Sequence, residues 1–207
     1  KIKKSFYGWK IVGAGALVQG YASTVFWRGF TAFFDPIVES LGWSRAATAA
    51  GMSLQRSEGG MISPFVGIVL NKFGIKKVMS FGILTTGLSF ILMGFVTKIW
   101  HFYACISILT IGMSFGTFIV LVATVGNWFI EKRKLALSLM MSASGFGGLL
   151  VPLIVILIEN YGWRPIIICA GIGFWIVGFP AILIMRSTPE KYGLLPDGIS
   201  PDDEIKI

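Results

Sequence analysis

The run Gly59-Gly60-Met-Ile-Ser-Pro64-Phe-Val-Gly67-Ile-Val-Leu-Asn71-Lys72-Phe73-Gly74-Ile-Lys76-Lys77 joins a glycine pair, a proline and an apolar stretch closed by an aromatic-Gly-x-basic turn. The pattern returns 147 − 59 = 88 positions later as Gly147-Gly148-Leu-Leu-Val-Pro152, leading to Tyr161-Gly162-Trp163-Arg164. Arg45 and Arg133, ahead of the two copies, fall in the same register. Each copy lies in an apolar run long enough to cross a bilayer, which takes roughly 17–25 residues. Hydrocarbon offers the backbone no hydrogen-bond partner, so such runs must be helical. The two copies therefore mark an internal repeat of membrane helices.

Working outward gives six spans: Ile11–Phe34, Ala46–Leu70, Ile75–Thr97, Phe102–Trp128, Leu135–Ile158 and Pro165–Met185. Polar turns at Asp35–Arg45, Asn71–Gly74, Lys98–His101, Phe129–Lys134 and Glu159–Arg164 separate them. Composition agrees. The 207 residues are 55% hydrophobic and 14% charged, whereas a soluble domain needs about 25% charged residues to cover its wet surface. The chain is equally too apolar and aromatic for disorder.

Cations set the orientation. One side collects thirteen: Lys1, Lys3, Lys4, Lys10, Lys72, Lys76, Lys77, Lys132, Arg133, Lys134, Arg186, Lys191 and Lys206. The other collects three, Arg45, Lys98 and Arg164, and Arg28 and Arg56 fall inside spans. Both ends are therefore expected in the cytoplasm, with the chain in the plasma (inner) membrane. The net charge of +8 is explained by this sidedness, and no nucleic-acid partner is expected. The second span runs inward and the fifth outward, so the repeats are inverted, as in many secondary transporters. The fold class is an all-α membrane protein with six transmembrane helices as two inverted three-helix repeats. Residues 1–10 form a cytoplasmic tail, 11–185 the bundle, and 186–207 a cytoplasmic linker. Without an initial Met, and ending in a polar segment, the chain is expected to be a fragment lacking a carboxyl-terminal six-helix half.

These residues resemble the amino-terminal half of a major facilitator superfamily transporter over essentially the whole chain. Gly67 to Lys77 is similar to that superfamily's G-x-x-x-D-[RK]-x-G-[RK]-[RK] signature, with Asn71 in place of the acid. The resemblance implies a gating turn made of Gly67, Asn71, Lys72, Gly74, Lys76 and Lys77. Three other features resemble monocarboxylate and oxalate/formate carriers: Phe6-Tyr-Gly-Trp9, the segment Trp128-Phe-x-x-Lys-Arg-x-Leu-Ala136 with Tyr161-Gly-Trp-Arg164, and Thr188-Pro-Glu-Lys-Tyr-Gly-Leu-Leu-Pro-Asp-Gly198. Phe26-Trp-Arg28-Gly-Phe-Thr31-Ala-Phe33-Phe34 is similar to their Phe-x-Lys-x-x-Thr-x-Phe-Phe, whose lysine is linked to substrate. Arg28 matches that position. The acid that often opens the first motif in animal monocarboxylate transporters is absent, which suggests a microbial relative.

An ionisable group within a span costs about 2.5–3.5 kcal/mol on insertion scales and is a functional candidate by default. Arg28 lies seven residues before Asp35, about 10 Å below the end of the span. It either snorkels to the interface or faces a cavity and holds a carboxylate through its planar fork. Arginine cannot shed its proton, so proton coupling would need Glu58, the only acid well inside a span. Arg56 and Glu58 are about 200° apart on the helix and need separate partners. An Arg28–Glu58 pair is one expectation, with Arg56 as a network partner. Gln19, Tyr21, Ser23 and Thr24 form a polar stripe that could line a wet path, and Thr31 follows Arg28. The substrate-binding set is therefore Arg28, Thr31, Tyr21 and Gln19. Gly112 with Gly116, and Ser144 with Gly148, have small-xxx-small spacing for helix crossing, and Pro64 and Pro152 are expected to kink their helices.

Other chemistry is excluded. Cys105 and Cys169 are far apart and His101 stands alone, so neither a disulfide framework nor a metal site is expected. The string Gly112-Met-Ser-Phe-Gly116 lacks the strand-to-helix setting of a nucleophile elbow. No phosphate-binding loop is encoded. No enzyme activity and no cofactor are expected. The sequence points to a secondary transporter of a small organic anion, a monocarboxylate, using proton coupling or exchange and alternating access. The alternative is a six-helix channel or other non-carrier acting as an oligomer.

Overall fold

A computed structural model of the chain describes residues 6–192 and 196–198. Lys1, Lys3, Lys4 and Lys206, four of the cations used for orientation, lie outside the described residues. The described residues are almost entirely helical and contain no strand.

The first span is built from α1 (Tyr7–Ala22), a π turn (Ser23–Trp27) and α2 (Phe30–Leu41). The second is α3 (Arg45–Phe73) and the third is α4 (Ile75–Met93). The fourth pairs α5 (Ile99–Gly116) with α6 (Phe118–Trp128), and the fifth pairs α7 (Arg133–Leu149) with α8 (Val151–Tyr161). The sixth is α9 (Trp163–Ile184). Four of these rods, Ile75–Met93, Ile99–Trp128, Arg133–Tyr161 and Trp163–Ile184, are long and apolar enough in themselves to cross a membrane. The first span is interrupted, and α3 carries Arg56, Glu58 and many small polar residues, which lowers its mean hydropathy.

The turns are shorter than expected. Asp35 and Pro36 are helical, and α2 ends at Leu41, where Gly42 takes φ +66°. Ser44 then caps α3, its Oγ accepting the Ala47 N–H at 3.1 Å. The second and fifth spans each give way to the next through a single glycine. Gly74 has φ 77° and ψ 159°, and Gly162 has φ 80° and ψ 161°. Gly74 N–H donates to Leu70 O at 2.9 Å and Gly162 N–H to Ile158 O at 2.8 Å. Positive φ is the conformation that only glycine adopts cheaply, and the two copies reproduce it in the register read from the sequence. Pro64 lies within α3 without ending it, whereas Pro152 directly follows the junction at Leu150.

The third span is the hub, packing on the fourth and sixth; the first packs on the fifth and sixth, and the second on the fourth. Small residues allow these approaches. A Cβ on Gly82 would strike the Gly116 backbone, and one on Gly112 would lie 2.6 Å from Thr86 N. The Gly112–Gly116 string is thus a helix crossing. On the other face of α4, Gly87 meets Trp175, and the Phe90 and Phe174 rings stack at 5.6 Å. The second and fifth spans are left open. Only Thr48, Gly51 and Val66 of α3 are buried, with Ala136, Met140 and Gly147 of α7 and Ile154 and Ile158 of α8.

Candidate functional site

The first span breaks at Arg28. A π turn holds one residue more than an α turn and rotates everything after it by about 100° relative to an unbroken helix. Arg28 N–H closes the turn on Ser23 O at 3.0 Å, and Thr31 Oγ1 donates to Arg28 O at 2.6 Å. The Arg28 side chain lies over the fifth span, its Nη1 2.6 Å from where a Cβ of Gly148 would be. Because α2 continues to Leu41, Arg28 sits thirteen residues from that end, about 20 Å. Both Arg28 and Arg56 are exposed. The ion pair formed among the described residues is Arg45–Asp35 at 2.9 Å, between α2 and α3, so neither guanidinium is neutralised there.

The expected Arg28–Glu58 pair does not form. Glu58 turns to the fourth span, where Ser107 Oγ donates to its Oε1 at 2.7 Å. Its Oε2 is buried without a hydrogen-bond partner among the described residues. The π turn is the physical reason for the first half of this correction, since it swings Arg28 towards the fifth span. The opposed faces of Arg56 and Glu58 account for the second.

Arg56 faces a cavity of about 360 Å³ between the first, second and fourth spans. One wall is a helical stripe of Arg56, Gly59, Gly60 and Ser63, and the facing wall is Thr110, Met113, Ser114 and Thr117. Phe26 and Trp27 close the side towards the first span. A smaller cavity of about 200 Å³ adjoins it, sharing Phe26, Trp27, Gln55 and Arg56 and adding Thr31. Ser107, Thr110, Ser114 and Thr117 are the residues missed from the sequence. Their spacing of three and four was the available signal, because it puts all four on one face of an apolar helix.

The polar stripe of the first span does not line this space. Tyr21 Oη donates to Ala170 O of α9 at 2.9 Å, and its ring packs on Phe174. Ser23 Oγ donates to Ser144 O at 2.7 Å, while Thr24 Oγ1 is within 3.0 Å of Gly147 O. Gln19 is buried, with its Oε1 unpartnered among the described residues. Tyr21 is thus engaged with α9 and Gln19 is buried, and neither lines the two cavities beside Arg56, so the expected substrate-binding set is not gathered there. Close approach of α1 to α7 explains it, for a Cβ on Gly147 would meet Gly20 O at 2.5 Å.

The turn expected to gate closes the second span at Phe73 and Gly74. Asn71 and Gly74 line a polar cavity of about 220 Å³ with Thr124, Asn127, Ser187 and Thr188. Lys72, Lys76 and Lys77 are exposed, as is Gly67. Residues of three clade-like segments meet at this same end, whereas Tyr161–Arg164 lies at the other, where Trp163 Nε1 donates to Ser40 Oγ at 2.8 Å and Arg164 to Gly94 O at 2.7 Å. Tyr7 Oη donates to Ile184 O at 2.9 Å, and Trp128 Nε1 to Arg186 O at 3.0 Å. The Arg186 guanidinium lies between the Tyr7 and Tyr192 rings, 4.0 and 4.2 Å from their centroids. Asp197 accepts from the backbone N–H groups of Ile130, Glu131 and Lys132 at 2.8, 2.7 and 3.2 Å.

A sequence model of the Major Facilitator Superfamily matches residues 14–199. Monocarboxylate transporter 12-B of Danio rerio is 28% identical over 167 residues, 80% of this chain and 35% of that protein. Monocarboxylate transporter 3 of Gallus gallus is 29% identical over 176 residues, 83% of this chain and 30% of that protein. Membrane sensor protein UhpC of Salmonella typhimurium is 29% identical over 149 residues, 70% of this chain and 34% of that protein. The chain thus spans about a third of the length of these curated relatives.

Proposed function

The chain belongs to the major facilitator superfamily, and from that premise we propose that it is the amino-terminal half of a secondary carrier for a small organic anion, a monocarboxylate. It is a multi-pass membrane protein, and its transporter relatives set aside an enzymatic reading. The observation that carries the anion reading is that two guanidiniums, Arg28 and Arg56, both within apolar spans, are exposed on the described helices without a carboxylate partner among the described residues. Unpaired cations at this depth are costly, and an anionic substrate offsets that cost through charge-assisted, bidentate hydrogen bonds. Arg28 is the primary anion ligand, with Thr31 beside it.

The open faces of the second and fifth spans, related by the inverted repeat, are where a carboxyl-terminal six-helix half packs. Alternating access then rocks the two halves about the site. The cation bias supports a plasma-membrane orientation with both ends in the cytoplasm. The basic turn at Lys72, Lys76 and Lys77 latches the cytoplasmic gate, and Glu58 carries the coupled proton because neither arginine can.

The test is uptake of labelled lactate, pyruvate, formate and oxalate by the full-length protein in proteoliposomes. We expect saturable uptake of at least one monocarboxylate and a loss of tenfold or more in Arg28→Ala, as removal of a charged hydrogen-bond donor implies (about 1.5–3 kcal/mol). Equal uptake by wild type and variant removes Arg28 from the site. Ohmic conductance in place of saturable exchange would favour a channel.

A further inference from the structure

We propose that the cavity beside Arg56 seats the apolar body of the substrate, so that the preferred class is monocarboxylates with a branched or aromatic body rather than ions the size of formate or acetate. The inference rests on the carrier reading above and deepens it. Arg56, not the family-matched Arg28, is the cation that lines the half-open cavity between the first, second and fourth spans. Arg28 turns instead to Gly148 on the fifth span.

The volume of about 360 Å³ lies within the range of sites that hold small organic molecules, roughly 300–1,000 Å³. Acetate alone would leave most of it empty. Phe26, Trp27, Met113 and Phe118 supply apolar walls. The hydroxyls that line it are largely committed. Ser63 Oγ donates to Gly59 O at 2.8 Å, Thr110 Oγ1 to Ile106 O at 2.9 Å and Thr117 Oγ1 to Met113 O at 2.6 Å. Gln55 and Ser114 also line the space with side-chain donors, beside Arg56. The guanidinium of Arg56 is the concentrated donor set, with an apolar chamber behind it. An amphipathic carboxylate satisfies both features. A carboxylate too small to fill the chamber gains little from it.

Gly60 provides a variant that fills the chamber, because it lines that space and a Cβ built there meets nothing within 4 Å among the described residues; correct insertion of the variant is checked beside wild type. The full-length protein in proteoliposomes is assayed with labelled phenylacetate and isovalerate against acetate. Wild type is expected to favour the larger pair in kcat/KM. Both Arg56→Gln and Gly60→Leu should lower the phenylacetate-to-acetate ratio about tenfold or more, the cost of a lost charged hydrogen bond or an occupied pocket. Arg28→Ala should lower both substrates together. Acetate favoured by wild type, or a ratio unmoved in both variants, overturns the chamber assignment and leaves the carrier reading standing. No uptake of any carboxylate by correctly inserted wild type overturns the carrier reading and this inference with it.

Discussion

Glu58 has one oxygen bonded to Ser107 and the other buried without a partner among the described residues. A carboxylate in that state is poorly satisfied. Glu58→Gln keeps the Ser107 contact and removes the titration. Uptake by this variant should lose its pH dependence while anion exchange persists; a pH profile identical to wild type would take the carrier role away from Glu58. Ser107→Ala leaves both oxygens without a donor and should cost about 1–3 kcal/mol, read as a lower Tm in detergent. Arg28 was legible as a candidate from residue type and position. Its orientation was not, because hydropathy is blind to a π turn that rotates the residues beyond it.

At the scale of elements, the crossing of the third and fourth spans depends on backbone contact between Gly82 and Gly116. No side chain fits there, so Gly82→Ala should destabilise the bundle by about 1–3 kcal/mol, the usual cost of overpacking. Gly60→Ala, with open space around it, should change the Tm little; a comparable loss in both would deny the crossing its special status. The turn before α7 offers a second case. Asp197 collects three consecutive backbone N–H groups there, although its own φ is +57°. Asp197→Ala should therefore cost about 0.5–2 kcal/mol, as loss of a helix cap does, and expose residues 130–132 to faster hydrogen exchange. The helices were legible from local rules, as were the small-residue crossings, whereas the turns at Gly74 and Gly162 are shorter than the polar segments suggested. The meeting of Tyr7, Trp128, Arg186, Tyr192 and Asp197 with their partners at one end was not, since contacts between segments so far apart leave no local trace.

For the whole molecule, the sidedness of charge predicts an accessibility pattern. In right-side-out vesicles of a cysteine-free background, Lys98→Cys should react with an impermeant thiol reagent, whereas Lys76→Cys and Lys132→Cys should react only after permeabilisation. The reverse pattern would invert the topology. The sequence alone determined six spans, their alternation and the inverted repeat, because the length of apolar runs, the distribution of cations and glycine's access to positive φ are local properties read one residue at a time. Only the tertiary structure decided which polar groups meet. It gave Glu58 to Ser107 and Arg56 to the cavity, engaged Tyr21 with α9 and buried Gln19. Azimuth around a helix sums every local rotation, and a single π turn redirects it by about a quarter turn, while the partner across the interface comes from sequence dozens of residues away.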